Sequence, residues 1–415
     1  MDISSRVLAL CAQYVLGDDG YDLKEFDLNS FVQRLVLFDT CVIDSVRLQE
    51  IPALIRLLGV DAVDRLLSSA CVKFYVNPCT IAQTGQFPPF REEKGKSLLP
   101  PRSYSFSIVA PYDRKKYVSD CLSGITEVDG IDPRKLIKLK QKAANCLIPL
   151  PELPGRDSLL KLQEDLERNA SIVKCAVVKV VSETVGIDVG QEEFDLTMHR
   201  LDETDYRAET NLGKVFNLDE RQEVKLLEKG LLRAAGLNRR VEDMKTANAL
   251  CDFPPADIDV LGQKFGFLVE TLMPKYQQRR MNRVLEIRGF PDFVAEGHAL
   301  DVDELLGVRS SSECIEFRHW LRSTDESTDA EIEAKLRGLR AKLGGSAHGQ
   351  TSKIVRFLLG AGVGMIYPVV GLISSAIDGF LVDEILPRSG VVAFVNQKYP
   401  SIFRRNTPGK WSSRR

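Results

Sequence analysis

Apolar residues follow a helical period over most of this chain and a two-residue period over a few short stretches. In SVRLQEIPALIRLLG, Leu48, Ile51, Ile55 and Leu58 recur at helical spacing and Gly59 supplies a stop. VDAVDRLLSSA begins another helix. LVLFDTCVI, residues 35–43, is apolar and rich in strand formers, so residues 1–70 read as mostly helical around one short strand. CVKFYVN and SYSFSIVAP alternate apolar and polar positions and predict strands within residues 71–110. Between them, QFPPFREEKGKSLLPPR carries two proline pairs and a charge cluster, the marks of an exposed loop.

Helical spacing returns in KKYVSDCLSGI and PRKLIKLKQKAANCLI. IPLPELPGRD, with three prolines and a glycine, reads as a linker. A long helix is expected from about Ser158 to Val185, then two strands around a turn near Asp202–Asp205. In ERQEVKLLEKGLLRAAGLNRRVEDM, Val224, Leu227, Leu231 and Ala235 share one helical face. TDAEIEAKLRGLRAKLGG opens on a Thr328…Glu331 capping box and closes on a glycine pair, and GGSAHGQTS is a connector by composition. No repeat of 20–50 residues is present.

One apolar segment stands apart. Residues 357–377, FLLGAGVGMIYPVVGLISSAI, hold 21 positions without a charge, between Arg356 and Asp378. That length suits a membrane-spanning helix, and the glycines and serines suit close helix packing in lipid. Pro368 in its middle breaks a continuous helix and favours two shorter ones, residues 354–367 and 369–386. The segment is therefore expected to form an apolar hairpin over residues 354–386, packed as Ile354 and Leu358 against Val369, Leu372, Ile373 and Ile377. Burial in a soluble core and docking on a membrane both satisfy such a hairpin.

Composition narrows the class. The chain has 415 residues, 44% hydrophobic and 27% charged, with a formal net charge of −2. It is long enough for a substantial core, too apolar for a disordered polymer, and too balanced in charge to imply nucleic acid as a whole. Its nine cysteines are scattered, with no C-x-x-C, so no zinc or thioredoxin-type pattern emerges and reduced thiols are expected. The amino-terminal run lacks the features of a signal peptide, which points to the cytoplasm.

Four motifs carry candidate chemistry. FDTCVIDS places Asp39 and Asp44 on and after a strand. This strand resembles the first acidic strand of PIN-like nucleases, a likeness confined to that strand. A nuclease or phosphodiesterase of that kind would use these carboxylates, with further acids, to hold Mg²⁺ or Mn²⁺. The structural alternative has Asp39 or Asp44 capping a helix that begins near Ser45. SSSECIEFRHWL contains Glu313, Glu316 and His319. An E-x-x-H pair can hold metal in a helical bundle, but the required second pair is absent, and Phe317, Trp320 and Leu321 read as packing. Gly360, Gly362 and Gly364 match neither the dinucleotide fingerprint nor a P-loop. The tail RRNTPGKWSSRR contributes Arg404, Arg405, Lys410, Arg414 and Arg415 beside Trp411, a set able to meet phosphates of nucleic acid or lipid.

The sequence thus predicts a helix-dominant α+β protein in three regions. Residues 1–150 form a mixed α/β region. Residues 151–350 are mainly helical, with a β-hairpin near 192–212. Residues 351–415 hold the apolar hairpin and the basic tail. The leading expectation is a non-enzymatic interaction or regulatory protein in the cytoplasm, docking on a protein partner or a membrane through residues 354–386. The alternative is the metal-dependent nuclease or phosphodiesterase using Asp39 and Asp44. No cofactor follows from the sequence.

Overall fold

The computed structural model describes residues 6–9, 14–17, 20–23, 27–85, 102–337 and 389–404, apart from short breaks within the longer stretches. The fold is α+β with helix dominant. It divides into a larger unit, Met1–Tyr276, and a smaller one, Gln277–Arg415.

The larger unit opens with β1 (Arg6–Ala9), the hairpin β2 (Tyr14–Gly17) and β3 (Gly20–Leu23), α1 (Leu28–Leu37) and β4 (Thr40–Ser45). Next come α2 (Glu50–Leu58), α3 (Val60–Ser68), β5 (Val72–Val76), β6 (Thr80–Gly85) and β7 (Ser103–Val109). The helices α4 (Arg114–Gly124), α5 (Pro133–Asn145), α6 (Arg156–Arg168) and α7 (Ala170–Val185) follow. The unit continues with β8 (Leu196–Arg200), β9 (Asp205–Thr210), α8 (Leu212–Val215), α9 (Glu220–Ala247), β10 (Leu250–Cys251) and α10 (Pro255–Gly262).

Two sheets organise these elements. β10, β1, β4 and β5 lie side by side in that order, every pair parallel. The run Cys41, Val42, Ile43 of β4 and Val72, Phe74, Tyr75 of β5 are buried, the near-continuous apolar pattern of parallel strands covered on both faces. Leu147 bridges to Phe74 in parallel beside β5. The second sheet, β6-β7-β9-β8, is antiparallel. Its β8–β9 pair is the hairpin expected near 192–212, with Leu196, Met198, Tyr206 and Ala208 alternating into the core.

One hydrophobic core joins these layers, running from Val42 and Tyr75 through Phe106 and the valines of α7 to Leu227, Leu231 and Ala249. The expected boundary near residue 150 therefore does not divide this core. α7 and α9 touch backbone to side chain at Gly230, where a Cβ would lie 2.5 Å from Val177 Cγ2 and 2.8 Å from its Cα. A far-off carboxylate starts α6: Glu242 of α9 accepts the Gly155 and Ser158 backbone N–H groups at 2.7 and 2.8 Å.

Three sequence expectations change. Residues 35–37 belong to α1, and the strand starts only at Thr40. α1 is capped by Asp27, whose carboxylate accepts the Ser30 N–H at 2.9 Å, and every residue from Phe31 to Leu37 is buried. The last residues of α1, Leu35, Val36 and Leu37, are apolar and run on through Phe38 toward β4, so this end of the helix reads like a strand in sequence. Residues 1–70 hold three short strands besides β4. The long helix expected from Ser158 to Val185 is two helices, interrupted between Arg168 and Ala170.

In the smaller unit, α11 (Leu268–Ile287) contains the division point. Beyond it lie β11 (Ala299–Leu300), α12 (Val302–Arg309), α13 (Ser312–Ser323), α14 (Ser389–Ala393) and β12 (Phe403–Arg404), which pairs antiparallel with β11. Stacked rings centre it: Phe317 on Phe394 at 4.3 Å and Phe293 on Phe403 at 4.8 Å. Among the described residues no helix is long and apolar enough to cross a membrane. The apolar hairpin of residues 354–386, the 344–352 connector, Thr328 of the capping box and the 86–101 loop lie outside the described residues.

Candidate ligand-binding cleft

The carboxyl ends of the parallel strands gather the unit's polar groups. β4 ends in half-buried Asp44 and buried Ser45, and the chain then turns into α2. The Ser45 hydroxyl accepts the Leu48 N–H at 2.8 Å and donates to the Glu50 carboxyl. Leu48 takes φ +55°, a left-handed conformation that its burial and this hydrogen bond hold in place. The turn thus seats the Leu48 side chain inward while Arg47 is exposed.

Glu50 is fully buried, and its Oε1 meets no hydrogen-bond partner among the described residues. Burial raises its pKa to about 7; hydrogen bonds from Ser45 and from its own backbone N–H oppose the rise, and the charge of Asp44 adds to it. On β5, burial holds the Tyr75 hydroxyl far above its ordinary range, helped by the charge of Asp243 and the hydrogen bond to it. Arg240 of α9 reaches Cys251 Sγ on β10 at 3.8 Å. Burial works against its charge, but Cys251, Asp44 and Asp243 outweigh that and raise its pKa.

Beside this edge, a cleft of about 700 Å³ separates the turn before α2 from α4 and the short 3₁₀ turn that follows it. Leu48, Pro52 and Val128 give it apolar surface. Arg47, Gln49, Arg56, Tyr117, Asp120 and Cys121 give it polar groups. α4 is capped by Asp113, which accepts the Lys116 N–H at 2.9 Å, and none of its residues is fully buried. Its inward-turned positions Tyr117 and Cys121, one helical turn apart, meet each other and Arg47: Tyr117 hydrogen-bonds both. Burial, above all, pushes the Cys121 thiol up, so it is held as the protonated thiol. Gln49, at the amino end of α2, makes no side-chain cap, and its Oε1 is buried without a partner among the described residues.

The residues singled out from sequence are placed differently. Asp39 is exposed at the amino end of β4, whereas Asp44 is at the carboxyl end. Five residue steps along extended chain separate them by about 16 Å, too far for one ion to bind both. Neither caps α2, which begins at Glu50 rather than near Ser45 and has no side-chain cap. In α13, His319 is exposed while the Glu316 carboxylate is tucked beside Gly390, where a Cβ would sit 2.3 Å from Oε2. Phe317, Trp320 and Leu321 are buried. Among the described residues no three His, Cys, Asp or Glu side chains gather as a metal site. Arg404 is in β12 and pairs with Asp301. Arg405, Lys410, Trp411, Arg414 and Arg415, together with Gly360, Gly362 and Gly364, lie outside the described residues. Seven cysteines are described, none in a disulfide; Cys11 and Cys79 lie outside.

Sequence reading passed over the cleft because its walls come from two segments about 60 residues apart, residues 47–56 and 117–128. The available signal was the pairing of Tyr117 with Cys121 at helical spacing on a weakly amphipathic helix. No protein-family model matches the chain, and no curated protein or solved structure matches it either.

Proposed function

We propose that the protein is a binding protein of regulatory type, whose larger unit takes a small molecule in the cleft between α2 and α4. One observation carries this: a concavity of about 700 Å³, within the range of small-molecule sites, about 300–1,000 Å³. Apolar Pro52 and Val128 offer contact area, and Gln49, Arg47 and Tyr117 offer orienting polar groups. Open α/β sheets commonly bind ligands beyond the carboxyl ends of their strands, and the turn leaving β4 forms one wall here. Asp39 and Asp44 stand at opposite ends of β4, so a nuclease centre built on that pair has no support in the geometry. Docking through residues 354–386 remains an expectation from sequence.

Gly124 provides the test. It lines the cleft, has helical φ, and a Cβ there would meet nothing within 4 Å. Gly124→Trp should therefore fill the cleft with little effect on the fold. In a ligand-observed NMR fragment screen of the full chain, fragments that bind should lose their signal changes in this variant. Hits that survive Gly124→Trp unchanged, or an absence of saturable binding, would refute the reading.

A further inference from the structure

Resting on that reading of the cleft, we infer that its ligand is an organic oxyanion, a phosphate or carboxylate group joined to a compact apolar body. Two arginines line the cleft, Arg47 and Arg56. Neither has a carboxylate partner among the described residues. Arg102, Arg233 and Arg239, by contrast, pair with Glu223, Asp257 and Asp243. Arg47 is steadied by its hydrogen bond to Tyr117, whose own hydroxyl is turned to Cys121. That chain fixes one guanidinium without using up its charge. Planar guanidinium groups match the paired oxygens of carboxylate and phosphate, and such charge-assisted hydrogen bonds are the strong ones. Among the described residues that line the cleft, Asp120 is the carboxylate beside the two arginines.

The apolar half of the ligand follows from the other surfaces. Leu48 is buried under the turn, and Pro52 and Val128 present carbon rather than donors. Pro52 has no backbone N–H, and the amino end of α2 is left without a side-chain cap. The first backbone N–H groups of α2 are met within the protein, Ile51 by the Leu48 carbonyl and Ala53 by the Gln49 carbonyl, so the positive charge of the cleft comes from the arginines.

Isothermal titration of the full chain with phenyl phosphate tests this, with phenol as the neutral counterpart and inorganic phosphate as the bare anion. Phenyl phosphate should bind saturably, one per chain, and more tightly than either phenol or inorganic phosphate. Arg47→Gln and Arg56→Gln should each weaken it about tenfold or more, and the double variant should abolish it. Arg134→Gln, exposed on α5 and not among the residues lining the cleft, should leave it unchanged. Phenyl phosphate binding that survives the double variant would overturn the inference. So would phenol binding that Gly124→Trp removes while phenyl phosphate fails to bind; that outcome keeps a small-molecule cleft and removes its anion. Failure of both phenol and phenyl phosphate, with no hit sensitive to Gly124→Trp, would remove the cleft reading as well.

Discussion

Replacing Glu50 by Gln isolates the most perturbed carboxyl group of the β4–α2 turn. Glu50 is 0% exposed and its pKa rises from 4.5 to about 7. That change corresponds to about 3 kcal/mol between the protonation states, at roughly 1.4 kcal/mol per decade of acidity. Below pH 4.5 the carboxyl is protonated in both the folded and unfolded chain and lowers stability in neither. Between 4.5 and about 7 the unfolded chain releases the proton and the folded chain keeps it, so stability falls as pH rises. Above about 7 the folded chain carries a buried carboxylate, and the whole loss, about 3 kcal/mol, is in place. Glutamine does not titrate, and its carbonyl oxygen can still accept the Ser45 hydroxyl. Glu50→Gln should therefore gain on the native protein steadily across that window and level off above it. Because the chain has two units, the assay is hydrogen exchange of β4 and α2 amides in urea, corrected for intrinsic exchange at each pH. A stability difference that does not change between acid and neutral pH would refute the assignment of a neutral, buried Glu50.

Three further perturbations probe the supporting framework. Tyr75→Phe removes a hydroxyl hydrogen-bonded to buried Asp243 and should cost about 1–3 kcal/mol by urea denaturation; an unchanged midpoint would contradict that bond. Gly230→Ala pushes a methyl group into the Val177 backbone, where both helices must shift, and should lower stability by about 1–3 kcal/mol. Glu242→Ala strips the amino end of α6 of its carboxylate and should cost about 1–2 kcal/mol. Faster exchange should then be concentrated in the first turn of α6, and Glu242→Gln, with one acceptor oxygen for two N–H groups, should restore only part of the protection.

Patterning made some elements plain. The β8–β9 hairpin and the buried face of α9 follow directly from alternation and from the spacing of Val224, Leu227 and Leu231, because each buries one side and exposes the other. The end of α1 misleads for a different reason: its apolar residues Leu35, Val36 and Leu37 continue through Phe38 with only Asp39 before β4, so no glycine or proline marks the boundary. The proline-rich stretch before Gly155 looks like an interdomain linker in composition. In the fold Ile148 and Leu150 pack against the core, Gly155 at φ +87° is tied to Glu242, and the core continues on both sides. Asp39 and Asp44 are near neighbours in sequence, but strand rise carries them apart. The cleft arginines carry no local signature, since an exposed arginine in a turn or on a helix looks the same whether it faces solvent or a cavity. Only the approach of α4 to the turn after β4 distinguishes them.

The cleft itself is tested most directly by hydrogen exchange of the full chain with and without phenyl phosphate, alongside the same pair for Gly124→Trp. Ligand-dependent protection should be confined to the turn before α2, to α2 itself and to α4, and should vanish in the variant. Protection located elsewhere in the chain, or protection of those segments that persists with the cleft filled, would contradict the account.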